Sequence, residues 1–380
     1  MGDNMYSANI RGLYLKDKFT DTEISREGFI DEIDKALGNG DNDCLCKKRN
    51  SNDNTIAFLF TGQGSIYKGI AKDFYTTSKP FREVLDLCNE KFKAIIGISL
   101  LDAIYGDDST LIDIPLYSQP IIFSIEYALT KLWDISGVKP KVVIGHSIGE
   151  YVAACYAGLI SLDDAIMMIA QRGRIMTSID IDGKMIGILS NVDNVKAAIE
   201  ESLCKNVSIA AVNAPENVTI SGLSNEVDTV VTTFQKKHRV FISKLSMPRP
   251  YHSPLMGRYV DDYDKNIGEI KFSSLKVDMI SSISGKLEKE EVLGTRKYWV
   301  EHITKTVDFQ SAILEAEKFG VNIFIEIGGD STLSGLTRQC LKNDKISIFP
   351  SLRKCAENHV QIFESVSALL LKGIDHGTME

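Results

Sequence analysis

The chain has 380 residues, of which 44% are hydrophobic and 25% are charged, a balance that predicts one large or about two to three smaller globular units. Its formal net charge of −8 comes without a dense Lys/Arg cluster, which argues against a nucleic-acid partner because phosphate binding needs a basic face. No apolar run approaches the roughly 18 residues of a membrane span, and the polar start has no signal-peptide core. We therefore expect no membrane contact and a cytoplasmic location.

The cysteine pattern argues against two further classes of protein, those held together by disulfides and those that bind zinc. Seven occur, at positions 44, 46, 88, 155, 204, 340 and 355, and no two are spaced C-x-x-C. Their odd number and irregular spacing fit neither a disulfide framework nor a zinc site. The sequence therefore predicts no metal site and a reducing compartment.

The first 54 residues differ from the rest of the chain. The pattern over 24–37 predicts a short amphipathic helix, and residues 38–54 are rich in Asn, Asp, Gly, Lys and Ser, as in a linker or exposed loop. The apolar run Thr55–Phe60 then predicts a buried strand, which ends in the glycine-punctuated turn Thr61–Ser65. We expect the main domain to begin at residue 55.

A helix predicted over 121–135 is followed by a nucleophile elbow. The sequence Gly145-His146-Ser147-Ile148-Gly149-Glu150 comes directly after the apolar run Val142–Ile144 and before a helical pattern. In such an elbow a serine occupies a strained turn between two glycines. At the helix start, the N–H of Ile148 and the helix dipole can stabilise an oxyanion. Ser147 is thus the predicted catalytic nucleophile.

The helix predicted over 162–179 carries an arginine on its apolar face. The residues three and four positions on either side of Arg172 are all apolar: Met168, Ile169, Ile175 and Met176. A buried guanidinium must be paired, because an unpaired buried charge costs several kcal/mol. Two partners remain open, an internal Asp or Glu, or a substrate carboxylate held through two parallel hydrogen bonds.

Residues 184–246 follow another pattern, the strand-helix-strand-strand-helix-strand order of a ferredoxin-like unit. The predicted elements are Met185–Leu189, Asn194–Ser202, Val207–Val212, Val218–Ser221, Glu226–Lys237 and Val240–Leu245. We interpret this segment as an inserted small subdomain that forms one wall of a cleft, where ligands usually bind.

A serine nucleophile needs a base, and histidine has a suitable pKa. Of the six histidines, His252 is the best candidate because it lies just beyond the small subdomain, in a loop stiffened by three prolines. The competing interpretation is an exposed loop histidine without a role. His302 is interpreted as a partly buried structural histidine. Strands predicted over 277–283 and 323–327 complete an alternation of strands and helices, which implies a largely parallel sheet.

Seven motifs occur in order along the chain: Phe60-Thr61-Gly62-Gln63-Gly64-Ser65, Ser118-Gln119-Pro120, Gly145–Glu150, Gln171-Arg172-Gly173-Arg174, Asn213-Ala214-Pro215-Glu216-Asn217, His252-Ser253-Pro254-Leu255-Met256 and Glu326-Ile327-Gly328. In this order they resemble the acyltransferase domain of modular type I polyketide synthases, akin to malonyl-CoA:acyl-carrier-protein transacylases. Residues 1–54 resemble the linker that follows a ketosynthase, and residues 346–380 resemble the post-acyltransferase linker. The resemblance implies an α/β-hydrolase-like core, 55–183 and 247–345, into which the small subdomain is inserted.

The resemblance also implies a role for each candidate residue. These roles are Ser147 as acylated nucleophile, His252 as its base in a dyad, Gln63 and Ile148 as donors of oxyanion-hole N–H groups, Arg172 as ligand of a malonyl-type carboxylate, and Asn213 as a residue of the cleft wall. A backbone carbonyl after the strand that ends at Ile327, in the loop Gly328–Ser331, is expected to orient the histidine.

The implied reaction is a ping-pong transfer. Ser147 takes a dicarboxylic acyl group from a thioester of coenzyme A or of a carrier protein, and the phosphopantetheine thiol of an acyl carrier protein then removes it. The implied partners are that carrier protein, the malonyl-type thioester and a neighbouring ketosynthase, in polyketide or hybrid polyketide/nonribosomal peptide biosynthesis. No bound cofactor is expected, since the substrates carry the phosphopantetheine.

One motif departs from the family pattern. Malonyl users commonly read His-Ala-Phe-His and methylmalonyl users Tyr-Ala-Ser-His, whereas this chain reads Arg249-Pro250-Tyr251-His252. Tyr251 leaves little room beside the α-carbon, and its hydroxyl with Arg249 is predicted to favour a small polar substituent. We therefore expect malonyl, or an analogue such as hydroxymalonyl, over methylmalonyl.

Two alternatives remain. An α/β-hydrolase-type thioesterase would share the elbow but more often has an Asp or Glu in a triad, and it has no need of Arg172. A non-catalytic docking module would need neither Ser147 nor His252.

Overall fold

The computed structural model describes residues 54–108, 110–238, 241–244, 249–354 and 358–371. The helix and the linker predicted before residue 54 lie outside these ranges. The strands are β1 (Ile56–Phe60), β2 (Val142–Gly145), β3 (Gly183–Ile188), β4 (Val207–Ala214), β5 (Asn217–Leu223), β6 (Ile242–Lys244), β7 (Asp278–Ser281), β8 (Lys286–Leu287), β9 (Val307–Asp308), β10 (Ile323–Ile327) and β11 (Ser347–Pro350).

Helices cover most of the remaining described chain. They are α1 (Lys72–Thr77), α2 (Lys79–Ile96), α3 (Leu100–Tyr105), α4 (Pro115–Ile135), α5 (Gly149–Tyr156), α6 (Leu162–Ser178), α7 (Val192–Ser202), α8 (Ser224–Lys237), α9 (Val260–Asn266), α10 (Glu290–Leu293), α11 (Arg296–Glu301), α12 (Phe309–Lys318), α13 (Thr332–Cys340) and α14 (Asn358–Leu371). Short 3-10 helices span Leu111–Asp113, Pro254–Tyr259 and His302–Thr304.

The larger sheet has six strands in the order β11-β10-β1-β2-β7-β8, and all neighbours are parallel except β7 and β8. Successive residues of β1 face two separate apolar clusters, with Phe58 in one and Leu59 in the other. A parallel strand covered on both faces reads as a continuous apolar run, which is the pattern that predicted it. The predicted α/β class and the mostly parallel sheet are confirmed.

The smaller sheet has five strands in the order β6-β3-β5-β4-β9. Its first four strands and the helices α7 and α8 follow each other as strand, helix, strand, strand, helix, strand, and they enclose their own apolar cluster, which includes Val195 and Phe234. The fifth strand, β9, comes from far outside residues 184–246 and pairs parallel with β4. The sequence prediction did not include this strand, because two residues carry no periodic signal.

Helix α4 begins earlier than predicted. It starts at Pro115 rather than at residue 121, and Pro120 lies inside it. Proline suits the first helical position because its missing N–H would have no partner there, and a second proline near the start removes few helical hydrogen bonds. The extra turns place Gln119 in the buried interior, where it contributes to the site described below.

The large sheet brings three turns to one edge. Phe60 at the end of β1 is in register with Gly145 of β2 and with Ile327 of β10. Because these strands are parallel, the segments that follow them leave the sheet on the same side, which is where α/β proteins bind ligands. The turn with Gln63 and the elbow with Ser147 therefore lie next to each other.

A buried carboxylate in β10 gives a stability prediction. Glu326 accepts hydrogen bonds from the N–H groups of Leu333 (2.9 Å) and Ser334 (2.6 Å) at the start of α13, yet burial raises its pKa to about 7. A carboxyl whose folded-state pKa lies above its unfolded value stabilises the fold at low pH, and this contribution is lost as the pH rises toward 7.

As the pH rises from 5 to 8, we expect the free energy of unfolding of Glu326→Gln to increase relative to that of the wild type by about 2 to 3 kcal/mol, because the variant has no carboxyl to deprotonate. Urea unfolding of both proteins at the two pH values measures this difference. Glu269→Gln, at an exposed position, is the matched control and should show no such trend. A stability difference for Glu326→Gln that does not change with pH would contradict the assignment.

Candidate active site

The elbow has the geometry that its sequence predicts. Strand β2 ends at Gly145, helix α5 begins at Gly149, and Ser147 between them has a φ of 53°. That left-handed conformation is strained for a serine. A Cβ at Gly145 would overlap the main chain at Glu150, and one at Gly149 would overlap the main chain at Phe60. Both glycines are therefore required for the tight turn that raises the serine.

His252 is the partner of that serine. Its Nε2 lies 2.7 Å from Ser147 Oγ, and its Nδ1 lies 2.8 Å from the carbonyl oxygen of Lys305. Because a carbonyl only accepts, Nδ1 must carry the proton, which leaves Nε2 free to accept from the serine hydroxyl. In this geometry the imidazole is placed to take the proton of the serine hydroxyl.

The source of the orienting carbonyl was predicted wrongly. It was expected in the loop Gly328–Ser331, whereas it belongs to Lys305, which directly follows the 3-10 helix His302–Thr304 and lies just before β9. A main-chain oxygen has no side-chain signature. The position of this segment depends on the pairing of the adjacent strand β9 with β4, which brings together distant parts of the chain.

The surroundings of His252 keep it neutral. Burial lowers the pKa of the imidazole well below its usual value, and the charges of Arg172 and His302 lower it further, against a smaller opposing effect of the bond to Lys305. A neutral imidazole has a free lone pair at neutral pH, which a general base needs.

Arg172 lies inside the site without a protein carboxylate. Its side chain is 2% exposed; Nη1 donates to Gln119 Oε1 (2.7 Å) and Nη2 to Ser147 Oγ (3.0 Å), and the guanidinium lies 5.5 Å from the ring centre of Tyr151. Its Nε has no acceptor among the described residues. Within the ranges that the structure describes, no Asp or Glu forms an ion pair with Arg172. The sequence left two partners open for Arg172, and in this structure the arginine is not paired with an internal Asp or Glu.

The predicted oxyanion donors lie on the two adjacent turns. No described residue accepts a hydrogen bond from the N–H of Gln63 or of Ile148. The turn that holds Gln63 is anchored to α4, because the buried carboxyl of Glu126 accepts hydrogen bonds from the N–H of Thr61 (2.9 Å) and from its hydroxyl. The Gln63 side chain itself donates to Ser118 Oγ (3.3 Å).

Two of the predicted specificity residues, Tyr251 and Asn213, form hydrogen bonds with other parts of the protein. Tyr251 is 4% exposed and its hydroxyl donates to the carbonyl of Met176 (3.4 Å), so the structure directs this hydroxyl to the main chain and not to a substrate, contrary to the prediction. Burial raises the pKa of Tyr251 to about 12, and the nearby charge of Arg249 only partly opposes this. Asn213 accepts at Oδ1 from His146 Nε2 (2.9 Å) and thereby ties the elbow to β4.

Two residues of the site were not predicted. Gln119, whose Oε1 accepts a hydrogen bond from Arg172, belongs to one of the seven motifs but has no role in the predicted site, although a glutamine inside an apolar helix is a usable signal. Glu150, the last residue of the elbow motif, accepts hydrogen bonds from Ser282, Tyr298 and His302. These partners lie more than a hundred residues away in the chain, so no local pattern indicates them.

The described part of the chain contains no group of three His, Cys, Asp or Glu residues arranged to hold a metal ion. No helix among residues 54–371, so far as these are described, is long and apolar enough to cross a membrane.

Comparison with known proteins identifies the family. A family model for the acyl transferase domain matches residues 57–375. The phenolphthiocerol synthesis polyketide synthase type I Pks15/1 of Mycobacterium marinum is 30% identical over 319 residues, which are 84% of this chain and 15% of that protein. The PKS-NRPS hybrid synthetase ATPKS of Aspergillus niger is 32% identical over 296 residues, which are 76% of this chain and 16% of that protein. The chain thus spans a small part of these relatives.

Solved structures agree with this result. The acyltransferase domain from the second module of the salinomycin polyketide synthase has a TM-score of 0.79 and 30% identity, over 85% of this chain and 74% of that one. The acyl transferase domain of SpnD, in complex with 2-(pent-4-yn-1-yl)malonyl, has a TM-score of 0.79 and 25% identity, over 85% and 78%. The predicted resemblance is confirmed, and the chain belongs to the acyl transferase domain family, whose matching relatives are polyketide synthases.

Proposed function

We propose that this domain transfers a malonyl-type acyl group from a thioester to the phosphopantetheine thiol of an acyl carrier protein through an ester on Ser147. The observation that carries this proposal is Arg172, a buried guanidinium beside the nucleophile for which the described chain supplies no carboxylate. A free carboxylate on the acyl group would fill that need through two parallel hydrogen bonds.

The first half-reaction forms the acyl-enzyme. His252 Nε2 takes the proton of Ser147 as Oγ attacks the thioester carbonyl carbon. The N–H groups of Gln63 and Ile148 would then stabilise the oxyanion. When the carbon–sulfur bond breaks, the proton on His252 passes to the departing thiolate, so that a neutral thiol leaves.

The second half-reaction reverses these roles. The carrier-protein thiol gives its proton to His252 as its sulfur attacks the ester carbonyl. The ester bond to Ser147 breaks, and the proton returns to Oγ. Nucleophile and base are thereby restored, as a ping-pong mechanism requires.

The acyl group we propose is malonyl, or a compact polar analogue such as hydroxymalonyl, in preference to methylmalonyl. The bulky side chain of Tyr251, next to His252 in the chain, is buried and contacts α6 at Met176, which supports a small unit. Because its hydroxyl contacts the carbonyl of Met176, Tyr251 favours the small size of malonyl and offers that hydroxyl to no polar α-substituent in this structure.

The setting of the domain is also part of the proposal. We propose that residues 184–246 form a ferredoxin-like subdomain inserted into an α/β-hydrolase-like core, 55–183 and 247–345. Residues 1–54 and 346–380 are proposed as linkers within a longer cytoplasmic synthase that contains a ketosynthase, although Ser347–Pro350 of the second segment form β11 of the larger sheet. The short carbonyl contact of His252, in place of a carboxylate, argues against the alternative of a triad thioesterase.

Intact-protein mass spectrometry tests the reaction. After brief incubation with malonyl-CoA or a hydroxymalonyl-loaded carrier protein, we expect a mass gain equal to the acyl group, absent in Ser147→Ala because its attacking oxygen is gone. Methylmalonyl-CoA and acetyl-CoA should label more slowly. Consumption of thioester without an adduct would indicate a hydrolase, and survival of every donor would indicate a docking module. Labelling by methylmalonyl-CoA as fast as by malonyl-CoA would refute the small pocket.

A further inference from the structure

A buried carboxylate lies directly beneath the nucleophile. Glu150 is fully buried in the first turn of α5, and its N–H donates to the carbonyl of Ser147 (3.0 Å). Its carboxylate accepts hydrogen bonds from the hydroxyls of Ser282 and Tyr298 and from His302 Nε2 (3.4 Å). Burial alone would raise the pKa of Glu150, but the interactions with His302, Ser282 and Tyr298 together hold it below its usual value. A negative charge is therefore kept under the elbow.

His302 links that carboxylate to the segment that orients the base. It is fully buried among the rings of Tyr151 (5.2 Å between centres), Trp299 (6.2 Å) and His252 (6.0 Å). Glu150 is its side chain's only hydrogen-bond partner within the described chain, since Nδ1 has none there.

The main chain continues this link to His252. The carbonyl of His302 accepts from the N–H of Lys305 (3.3 Å), and the carbonyl of Lys305 in turn accepts from His252 Nδ1. A series of contacts thus runs from Ser147 through Glu150, His302 and Lys305 to the base that faces the same serine.

We propose that the contact between Glu150 and His302 positions the Lys305 carbonyl, and through it the His252 ring, relative to Ser147. These are positioning residues, since neither lies within hydrogen-bond distance of the Ser147 hydroxyl. The proposal rests on the function proposed above, because it assigns Ser147 and His252 as the reacting pair.

A gain in stability does not by itself explain the buried contact between Glu150 and His302. Replacing buried polar partners by well-packed apolar residues of similar volume is often neutral or stabilising. A polar contact does, however, fix a distance and a direction, which apolar packing does less strictly. A displacement of about 1 Å at a reacting group can cost about a hundredfold in rate, so alignment is the benefit that such a contact can provide.

His302→Gln and His302→Met form a matched pair for the test. Both side chains have similar length and flexibility, but only glutamine keeps a donor for Glu150. The experiment measures kcat and KM for malonyl transfer to a carrier protein, the rate at which a fluorophosphonate labels Ser147, and thermal unfolding, at a temperature where every variant is folded. Ser282→Ala serves as control because it removes another hydrogen bond of Glu150 and leaves the turn at His302 intact.

We expect His302→Met to lower kcat and the labelling rate by about tenfold to a hundredfold, with KM nearly unchanged because Arg172 is intact. His302→Gln should stay within about threefold of the wild type, as should Ser282→Ala. A His302→Met protein with full kcat, or losses that follow the unfolding temperature in all three variants, would overturn the proposal. Equal losses in Gln and Met would also overturn it, since the ring and not the contact would then matter. A wild type that never labels at Ser147 would instead refute the proposed function.

Discussion

Replacing Arg172 with alanine is expected to lower malonyl transfer by about 10²- to 5 × 10³-fold, while transfer of acetyl is spared or raised. Removing one partner of a buried, hydrogen-bonded charge pair costs about 3–5 kcal/mol, which corresponds to this range at 1.36 kcal/mol per decade. The acetyl group has no carboxylate, so it has no such contact to lose. Parallel measurements of kcat/KM with malonyl-CoA and acetyl-CoA give the ratio directly.

The same helix offers a matched control. Arg174 lies two positions further on, and its guanidinium contacts the carbonyl of Ile95 away from the nucleophile. Arg174→Ala should therefore leave the ratio of malonyl to acetyl transfer unchanged. Equal losses of both activities in Arg172→Ala would mean that the arginine supports the elbow, through its contact with Ser147 Oγ, and does not select a carboxylate.

Local patterns were sufficient to predict the turn at Ser147 and the burial of Arg172. The elbow depends on two glycines at fixed positions around Ser147, and the steric reason for them is contained within a few residues. Arg172 was recognisable because helical periodicity places it among apolar neighbours, and the structure indeed buries it. In both cases the information lies within a single turn or helix.

The two predictions that were wrong, for the carbonyl that contacts His252 and for the Tyr251 hydroxyl, concern long-range contacts. The carbonyl that orients His252 comes from Lys305, 53 positions away, and any residue type can offer a carbonyl there. The direction of the Tyr251 hydroxyl depends on where α6 passes, 75 positions away in the chain. Sequence patterns define which faces are buried, but they do not specify which atoms meet once separate elements have packed.

Replacing His252 with alanine is expected to lower the rate of Ser147 acylation by about 10²- to 10⁴-fold, the usual contribution of a positioned general base. Without Nε2 at 2.7 Å, nothing in the described site takes the proton from the serine. Stopped incubation with malonyl-CoA followed by intact mass measurement gives the acylation rate. His238→Ala, at the end of α8, is the control and should acylate normally.

The acid side of the pH profile tests the environment of the same histidine. The base works only when it is neutral, and burial together with the charge of Arg172 lowers its pKa well below the usual value. We therefore expect wild-type kcat/KM to stay level as the pH falls through 6.5 and to decline only at lower pH. In Arg172→Ala, assayed with acetyl-CoA, the decline should begin at a higher pH because one of the nearby positive charges is gone. A wild-type decline centred near the ordinary histidine value, with no shift in the variant, would show that the base titrates as if exposed to solvent, and the dyad would then have to open before it reacts.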